Sequence, residues 1–346
     1  MNQSVRIKSV GMVSALGVGA EANCAVMKLN YDGFVTTEFE TPSNGKALIG
    51  AQIESSARGA KRLSEFVQLA ISDALAGQSF ADNSVMPIAC IADENLAFCS
   101  DQTSEALSRL LVESSPRCLS QSWQIIAEGA TGLVRAFEAA RELLYESNQT
   151  SVLIVAVDSL LNNAALSYFL HGERIPGCRL LTDKNSDGFI PGEAAAAMLL
   201  EKPAEKPVPQ LLCDGLGRGS EPAPIDTGKV TRADGMVTAV KQAVSEAGSM
   251  VSAMDFRLSN LTGEKYFFNE DSLMLYRTCR PVVEDQPLWH VADAVGETGA
   301  AAGAVMVCVA FWATAKNYAP GNNILLCLSS AEEARGAMML RYTVAA

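Results

Sequence analysis

The chain has 346 residues, of which 49% are hydrophobic and 19% charged, so its length and composition predict an ordered globular protein with a large core. A formal net charge of −12 argues against nucleic acid or an anionic membrane as the main partner, because both attract basic surfaces. The N-terminal segment has no apolar core of signal-peptide length, and no run of about 18 uncharged apolar residues predicts a membrane span.

The first part of the chain alternates between predicted strands and helices. Apolar periodicity predicts a strand and turn over 5–17, helices over 20–29 and 61–75, a strand over 86–92, helices over 105–112 and 131–145, and apolar strands over 151–157 and 194–200. Because these strands are apolar on both faces, we expect a sheet that helices cover on both sides.

A linker and a second, shorter set of elements follow. Residues 201–209, EKPAEKPVP, combine three prolines with alternating charge and are the best linker candidate. Beyond the linker, the pattern predicts strands over 210–213 and 256–261, helices over 236–246 and 299–315, and strands over 324–328 and 338–342. We therefore divide the chain into an N-terminal half, 1–205, and a shortened C-terminal half, 206–346.

The cysteines and histidines argue against a disulfide framework and against a zinc site. The nine cysteines are dispersed and form no C-x-x-C pair, which is typical of reduced thiols in the cytoplasm. There are only two histidines, His171 and His290, and neither stands at a metal-ligand spacing. We predict no metal and no cofactor.

The segment 183–197, DKNSDGFIPGEAAAA, first suggests a calcium loop. Four of its residues match the opening of an EF-hand loop: Asp183, Asn185, Asp187 and Gly188. The bidentate Glu that closes such a loop should be residue 194, which is Ala194, and Glu193 is one place early. The following apolar run is short and suits a buried strand better than an exit helix, so we do not predict a calcium site.

The same segment resembles the D-x-x-R-D-G-F-V-x-G-E-G-A-G sequence of β-ketoacyl synthases, the condensing enzymes of the thiolase superfamily. Three other segments resemble this family in the same order: 5–17 (VRIKSVGMVSALG), 126–143 (IAEGATGLVRAFEAAREL) and 292–304 (ADAVGETGAAAGA). The resemblance implies an α/β protein with a thiolase-like fold, in which two βαβαβαββ halves form α/β/α/β/α layers. Within it, Glu193 and Asp187 are expected to have structural roles.

The nucleophile position of the family is occupied by glycine. In the family, a Cys stands at a tight turn that enters a helix, where the helix dipole stabilises the thiolate. Counting without gaps from Gly132 and from Glu138 places Gly129 at this position. Glycine has no side chain that could attack a thioester.

The other catalytic positions of the family have changed as well. The run 262–270, TGEKYFFNE, places Thr262 at the first His, and the run 292–304 places Ala292 at the Lys and Glu297 at the second His. The family's glycine-rich C-terminal loop is replaced by 326–334, LCLSSAEEA. Without the Cys-His-His-Lys set, condensation cannot proceed by the family's mechanism, because the acyl carrier and the donors to the developing oxyanions are missing.

The sequence leaves two alternatives to an inactive binding protein, a repurposed enzyme and a ligand sensor. Glu128 and Glu297 could converge as an acid and base pair in a repurposed enzyme that acts on acyl thioesters. The simpler interpretation of Glu297 is a first-turn carboxylate that the dipole of the following helix favours. A third possibility is a sensor that binds an acyl chain or coenzyme A without turnover.

The resemblance implies a catalytically inactive, bacterial, cytoplasmic protein that acts through protein–protein binding. Relatives that lack the Cys, the chain-length-factor subunits, are partner subunits, and similar degenerate proteins occur beside type VI secretion effectors. We expect a homodimer, or a heterodimer with a related protein, in which the apolar strand 151–157 pairs across a twofold axis. An acyl carrier protein is disfavoured as a partner because it is acidic, like this chain.

Overall fold

A computed structural model describes residues 3–41, 45–96, 101–147, 149–171, 179–283 and 285–344. The strands are β1 (Val5–Ser14), β2 (Gly17–Val18), β3 (Phe34–Glu40), β4 (Ala47–Ala51), β5 (Val85–Cys90), β6 (Gln124–Ile126), β7 (Ser151–Ser159), β8 (Glu193–Glu201), β9 (Gln210–Ser220), β10 (Phe256–Ser259), β11 (Leu288–His290), β12 (Asn323–Ser329) and β13 (Ala334–Thr343). The α-helices are α1 (Ala20–Lys28), α2 (Gly59–Ala74), α3 (Asp101–Glu113), α4 (Gly132–Glu146), α5 (Asn163–His171), α6 (Asp234–Glu246), α7 (Lys265–Thr278), α8 (Ala292–Val295) and α9 (Ala302–Ala315). Across these ranges, every helix is too short or too polar to cross a membrane.

The central sheet contains the same strand arrangement twice. In the first half the order is β1-β8-β7-β5-β6, and in the second half it is β9-β13-β12-β10-β11. In each half the first two pairings are antiparallel and the last two are parallel. The sequence shows no repeat between the halves, so the duplicated topology is a finding of the structure.

The two half-sheets join along a short antiparallel contact, in which Val5–Ile7 of β1 pair with Leu211–Cys213 of β9. Helices α4 and α9 lie between the half-sheets, and their apolar side chains share one core cluster with strands of both halves. Helices α2 and α3 cover the outer face of the first half, and α6 and α7 cover that of the second. The predicted α/β/α/β/α layers are confirmed.

Strand β7 corrects one expectation. It pairs with β5 on one side and with β8 on the other, so it is an interior strand of the sheet. Its alternate side chains also enter different core clusters, which leaves neither face open. The proposed pairing of 151–157 across a twofold axis is therefore wrong, because an interior strand has no free hydrogen-bonding edge. In the described sheet the edge strands are β6 and β11.

Several parts of the fold were not anticipated from the sequence, including the edge strands β6 and β11 and the helices α5 and α8. The hairpin of β3 and β4 forms a separate two-stranded sheet before α2. Strand β9 continues to Ser220, well beyond the predicted end at residue 213. Helix α7 begins at Lys265, inside the run that we had aligned with a histidine motif of the family.

Candidate functional site

The candidate site begins at the turn that leads into α4. Residues Gly129–Thr131 form a single 3-10 turn directly before the helix, and the φ angle of Gly129 is +56°. The N–H of Gly129 donates to the carbonyl oxygen of Ile91 at 3.2 Å, which fixes the turn at the end of β5. A Cβ atom added to Gly129 would lie 3.5 Å from the Cβ of Asp93, an ordinary contact. The turn therefore has space for a Cβ atom, but its positive φ is a conformation that residues with a side chain rarely adopt.

A second turn of the same shape precedes α9. Gly299 has a φ of +53°, and the residue before it, Thr298, has φ and ψ of −112° and 19°. The corresponding values for Glu128, before Gly129, are −118° and 20°. A Cβ on Gly299 would lie 2.1 Å from Oδ2 of Asp158, so glycine is required there. The two halves thus repeat one turn, and an Asp158 carboxylate from the first half occupies the space beside the second.

A cavity of about 80 Å³ lies between the two turns. This volume is small compared with the roughly 300–1,000 Å³ of typical small-molecule sites. Its lining combines residues of both halves: Asp93, Leu96, Gly129, Ala130, Asp158, Leu160, Tyr168, Phe169, Arg179, Phe189, Asn260, Phe267, Glu297, Gly299, Ala300, Ser329, Ser330 and Ala331. This lining, as far as the chain is described, includes no thiol and no imidazole; Cys99 and Cys178 lie outside the described residues.

Glu297 lines the cavity and is half-buried. Its Oε1 accepts a hydrogen bond from the N–H of Gly299 at 2.7 Å, and its backbone N–H donates to the carbonyl oxygen of Ile190 at 2.8 Å. Burial raises the pKa of Glu297 to about 7, and the nearby carboxylates of Glu264 and Asp158 add to the increase. The Gly299 hydrogen bond and Arg179 oppose it.

Asp158, at the end of β7, links the two halves next to Glu297. Its Oδ2 accepts from the N–H of Ala300 at 2.9 Å, and its Oδ1 accepts from the N–H of Ser159 at 2.8 Å. Burial raises the pKa of Asp158 to about 6 even though both hydrogen bonds favour the ionised form. The N-terminus of α9 thus holds two carboxyl groups that exchange protons near neutral pH.

Arg179 and Glu264 form a buried ion pair at another wall of the cavity. Nε and Nη2 of Arg179 donate to the two carboxylate oxygens of Glu264 at 2.7 and 2.9 Å. The guanidinium is also surrounded by the rings of Phe169, Phe189 and Phe267, at 5.5 to 5.8 Å from their centroids. The bidentate geometry and the aromatic cage hold the charge in a fixed position.

The other positions identified from the sequence lie outside the cavity wall. Thr262 is buried, and its hydroxyl donates to Oε2 of Glu264 at 3.1 Å, so it supports the ion pair. Ala292 begins the short helix α8 and does not line the cavity. Glu128 forms an ion pair with Arg218 at 3.2 Å on the surface. The structure therefore does not bring Glu128 and Glu297 together, because the Glu128 side chain points away from the turn.

The segment around Asp187 and Glu193 consists of structural contacts. Glu193 is fully buried and accepts hydrogen bonds from Arg62, from the N–H of Ile53 at 2.7 Å and from the hydroxyl of Ser159 at 2.8 Å. Asp187 accepts from the N–H of Lys265, at the start of α7, at 2.7 Å. No group of residues suited to a metal ion occurs in the described ranges.

Sequence reasoning missed Asp158, Arg179 and Asn260 as residues of the site. Asn260 follows β10, and its side chain exchanges two hydrogen bonds of 2.8 Å with the backbone of Ser329. A useful signal was present for Asp158, because it is the one acidic residue of the otherwise apolar strand β7. Charged residues that end buried strands commonly face a site at the strand ends.

The arrangement supports acid–base chemistry better than covalent chemistry. Two carboxyl groups titrate near neutral pH, which suits proton transfer. The nearby thiol of Cys90 is buried in the core, and burial raises its pKa to about 12. His290 is engaged elsewhere, with Nδ1 at 2.7 Å from Oδ2 of Asp293.

No family model and no curated protein matches the chain, whereas many solved structures do. A chain from the complex of a type II polyketide synthase acyl carrier protein with its ketosynthase superposes with a TM-score of 0.76 at 14% identity, over 99% of this chain and 100% of that one. The ishigamide ketosynthase/chain length factor gives 0.73 at 16%, over 99% of each chain. A β-ketoacyl synthase from Burkholderia phymatum gives 0.72 at 16%, over 98% and 99%. The chain therefore has the thiolase-like fold of the ketosynthases and chain length factors.

Proposed function

We propose that this protein does not condense acyl groups and acts by binding another protein, as a partner subunit or adaptor with a ketosynthase-like fold. The observation that supports this proposal most is the turn at Gly129, which has the space for a nucleophile and no side chain. Glu297 lines the same cavity as this turn, and wherever its carboxyl group is ionised it repels the oxyanion that a condensing site must stabilise.

The small cavity is a second argument against turnover. About 80 Å³ holds a few water molecules, whereas an acyl thioester needs several times this space. Ser329, Ser330 and Ala331 line the cavity from the segment that replaces the family's glycine-rich loop. The side chains at this site thus favour a filled pocket over an open acyl tunnel.

The inactivity can be tested by intact-mass spectrometry after incubation with acyl-coenzyme A and acyl carrier protein thioesters. We expect no acyl adduct and no condensation product with malonyl thioester. A covalent acyl-protein that forms at a rate compatible with turnover would contradict the proposal. Gly129→Cys is the matched variant, because it places a thiol at the turn and shows whether the assay detects acylation there.

The partner surface that we propose is the open edge of β6. This strand pairs only with β5 among the described strands. The carbonyl oxygen of Ile126 accepts from the N–H of Ile91 and so faces β5. Because backbone groups alternate along a strand, the N–H and C=O of Ile125 face outward. An edge of this kind can pair with the same strand of a second copy or of a related protein. One of the similar solved structures is a ketosynthase in complex with its chain length factor, which is a complex between two proteins.

Two variants of one residue test this surface. Ile125→Pro removes the outward N–H and leaves the ladder with β5 in place, whereas Ile125→Val keeps the N–H and most of the side chain. In native mass spectrometry and light scattering we expect a dimer for the wild-type protein and for Ile125→Val, and monomer for Ile125→Pro. A dimer that Ile125→Pro leaves unchanged would exclude this edge. If the purified wild-type protein is monomeric, the partner is a different protein, and affinity purification with the same two variants should separate it from background; type VI secretion effectors are one class to look for.

The two carboxyl groups with raised pKa values favour one second candidate, hydrolysis of a thioester by Glu297. Its raised pKa suits a general base at neutral pH, and Asp158 would hold the neighbouring proton. The test is hydrolysis of acyl-coenzyme A by the wild-type protein and two variants. Loss of activity in Glu297→Gln, with activity kept in Glu128→Gln, would support this candidate. Equal background rates for all three proteins would remove it.

A further inference from the structure

A larger cavity is lined by residues from both halves of the chain. Its volume is about 450 Å³, within the range of small-molecule sites. It is formed by the end of α1 and the following loop, the edge strand β11, the start of α8, and Tyr318 after α9. We call it the aromatic cavity. Its lining shares no residue with the cavity at Glu297.

The aromatic cavity has an apolar floor and two aromatic walls. Leu258, Val291 and Val309 form part of the floor and are almost fully buried. The rings of Trp289 and Tyr318 have centroids 6.4 Å apart and planes inclined by only 22°. Both rings line the cavity and give it an aromatic wall that a planar ring can contact.

One cation at the cavity is available to a ligand. Nζ of Lys28 lies 4.5 Å from the centroid of the Tyr318 ring, and no ion pair of Lys28 occurs among the described residues. Asp293, the acidic residue in the lining, is 2.7 Å from Nδ1 of His290 and is thus already paired with a possible cation. The exposed ammonium of Lys28 therefore gives this cavity a local positive charge that attracts an anion, although the protein as a whole has a net charge of −12.

We propose that the aromatic cavity binds a planar aromatic carboxylate, with its ring against Trp289 and Tyr318 and its carboxylate on Nζ of Lys28. The apolar floor removes the ring from water, and the ammonium selects the charged form over a neutral analogue. This binding site is separate from the β6 edge and from the cavity at Glu297, so it adds a small-molecule function to partner binding.

The test uses 2-naphthoate as the probe in isothermal titration calorimetry, with 2-naphthamide as its neutral analogue and decanoate as an aliphatic anion. We expect saturable binding of 2-naphthoate at one site and weaker binding of both other compounds. Lys28→Gln should weaken 2-naphthoate about three- to fivefold, leave 2-naphthamide unchanged, and so remove the preference for the anion.

Lys316→Gln is the matched control. Lys316 also contacts an aromatic ring, with Nζ 5.1 Å from the Trp312 centroid, but it does not line the aromatic cavity. We expect the control to bind like the wild-type protein. Trp289→Leu should weaken 2-naphthoate and leave decanoate unchanged, because it removes a stacking surface and keeps an apolar one. The absence of saturable binding, equal effects of both lysine variants, or tighter binding of decanoate would each overturn the proposal.

Discussion

Glu297 has its carboxyl group in the wall of the small cavity, and the protonation of this group is linked to folding. Its pKa is about 7 in the folded protein and close to the ordinary 4.5 in the unfolded chain. Between these values the folded state binds more protons, so this contribution to stability is complete below about pH 4.5 and is lost as the pH rises through 7. Asp158, with a pKa of about 6, acts in the same direction.

We therefore expect Glu297→Gln to stabilise the protein at pH 8 and to have almost no effect near pH 4.5. The amide keeps an oxygen for the Gly299 N–H and removes the buried charge. We estimate a gain of about 1–2 kcal/mol in the free energy of unfolding at pH 8, below the full value of the shift because solvent screens a half-buried group. Urea denaturation at both pH values measures it. Glu128→Gln, on the surface, is the control, and a Glu297→Gln effect independent of pH would contradict the argument.

For single residues, the sequence predicted that the family's catalytic side chains are absent. The structure showed which side chains line the cavity instead. Gly129 could be aligned with the family by counting from Gly132 and Glu138, because both lie within ten residues of it in the chain. The cluster of Asp158, Arg179 and Glu264 could not be found in this way. These residues come from separate segments, and only the packing of the two halves makes them neighbours.

Strand β9 is an element in which alternate glycines let a helix approach. Gly215, Gly217 and Gly219 face α6, and a Cβ on Gly217 would lie 1.9 Å from the carbonyl oxygen of Ala239. The sequence prediction ended this strand at residue 213, because glycine is depleted in strands. The close approach of the helix explains the longer strand.

We predict that Gly217→Ala lowers the free energy of unfolding by about 2–3 kcal/mol, because the new methyl group meets helix backbone and α6 must move. Chemical denaturation measures the loss. Lys241→Ala, on the exposed side of α6, is the matched control and should change stability by less than about 0.5 kcal/mol. A Gly217→Ala protein as stable as the control would show that α6 shifts at no cost.

Over the whole molecule, the central layer makes the two halves depend on each other. Helices α4 and α9 are packed in one core cluster with strands from both halves, and β1 pairs with β9 across the junction. Strand β8 ends at Glu201 and β9 begins at Gln210, on either side of the boundary that we predict between residues 205 and 206. Neither half can bury its inner helix layer without the other.

Because of this shared core, we predict that the halves unfold in one transition. Trp123 reports on the first half, and Trp289 and Trp312 report on the second. Fluorescence of a Trp123→Phe variant and of a Trp289→Phe/Trp312→Phe variant should give the same denaturant midpoint, equal to that from circular dichroism. Two separate midpoints would show that the halves are independent domains and would support the 1–205 and 206–346 division in its stronger form.

The sequence by itself determined most of the longer periodic elements, the α/β class and the glycine at the turn before α4, because each of these depends on residues close together in the chain. Only the tertiary structure decided that β7 lies inside the sheet while β6 forms its edge, that Glu128 faces Arg218, and that Asp158 rather than Glu128 accompanies Glu297. These features depend on strand order and on contacts between distant segments. Local periodicity determines whether a segment forms a helix or a strand. Which elements pack beside it depends on the packing of the whole core.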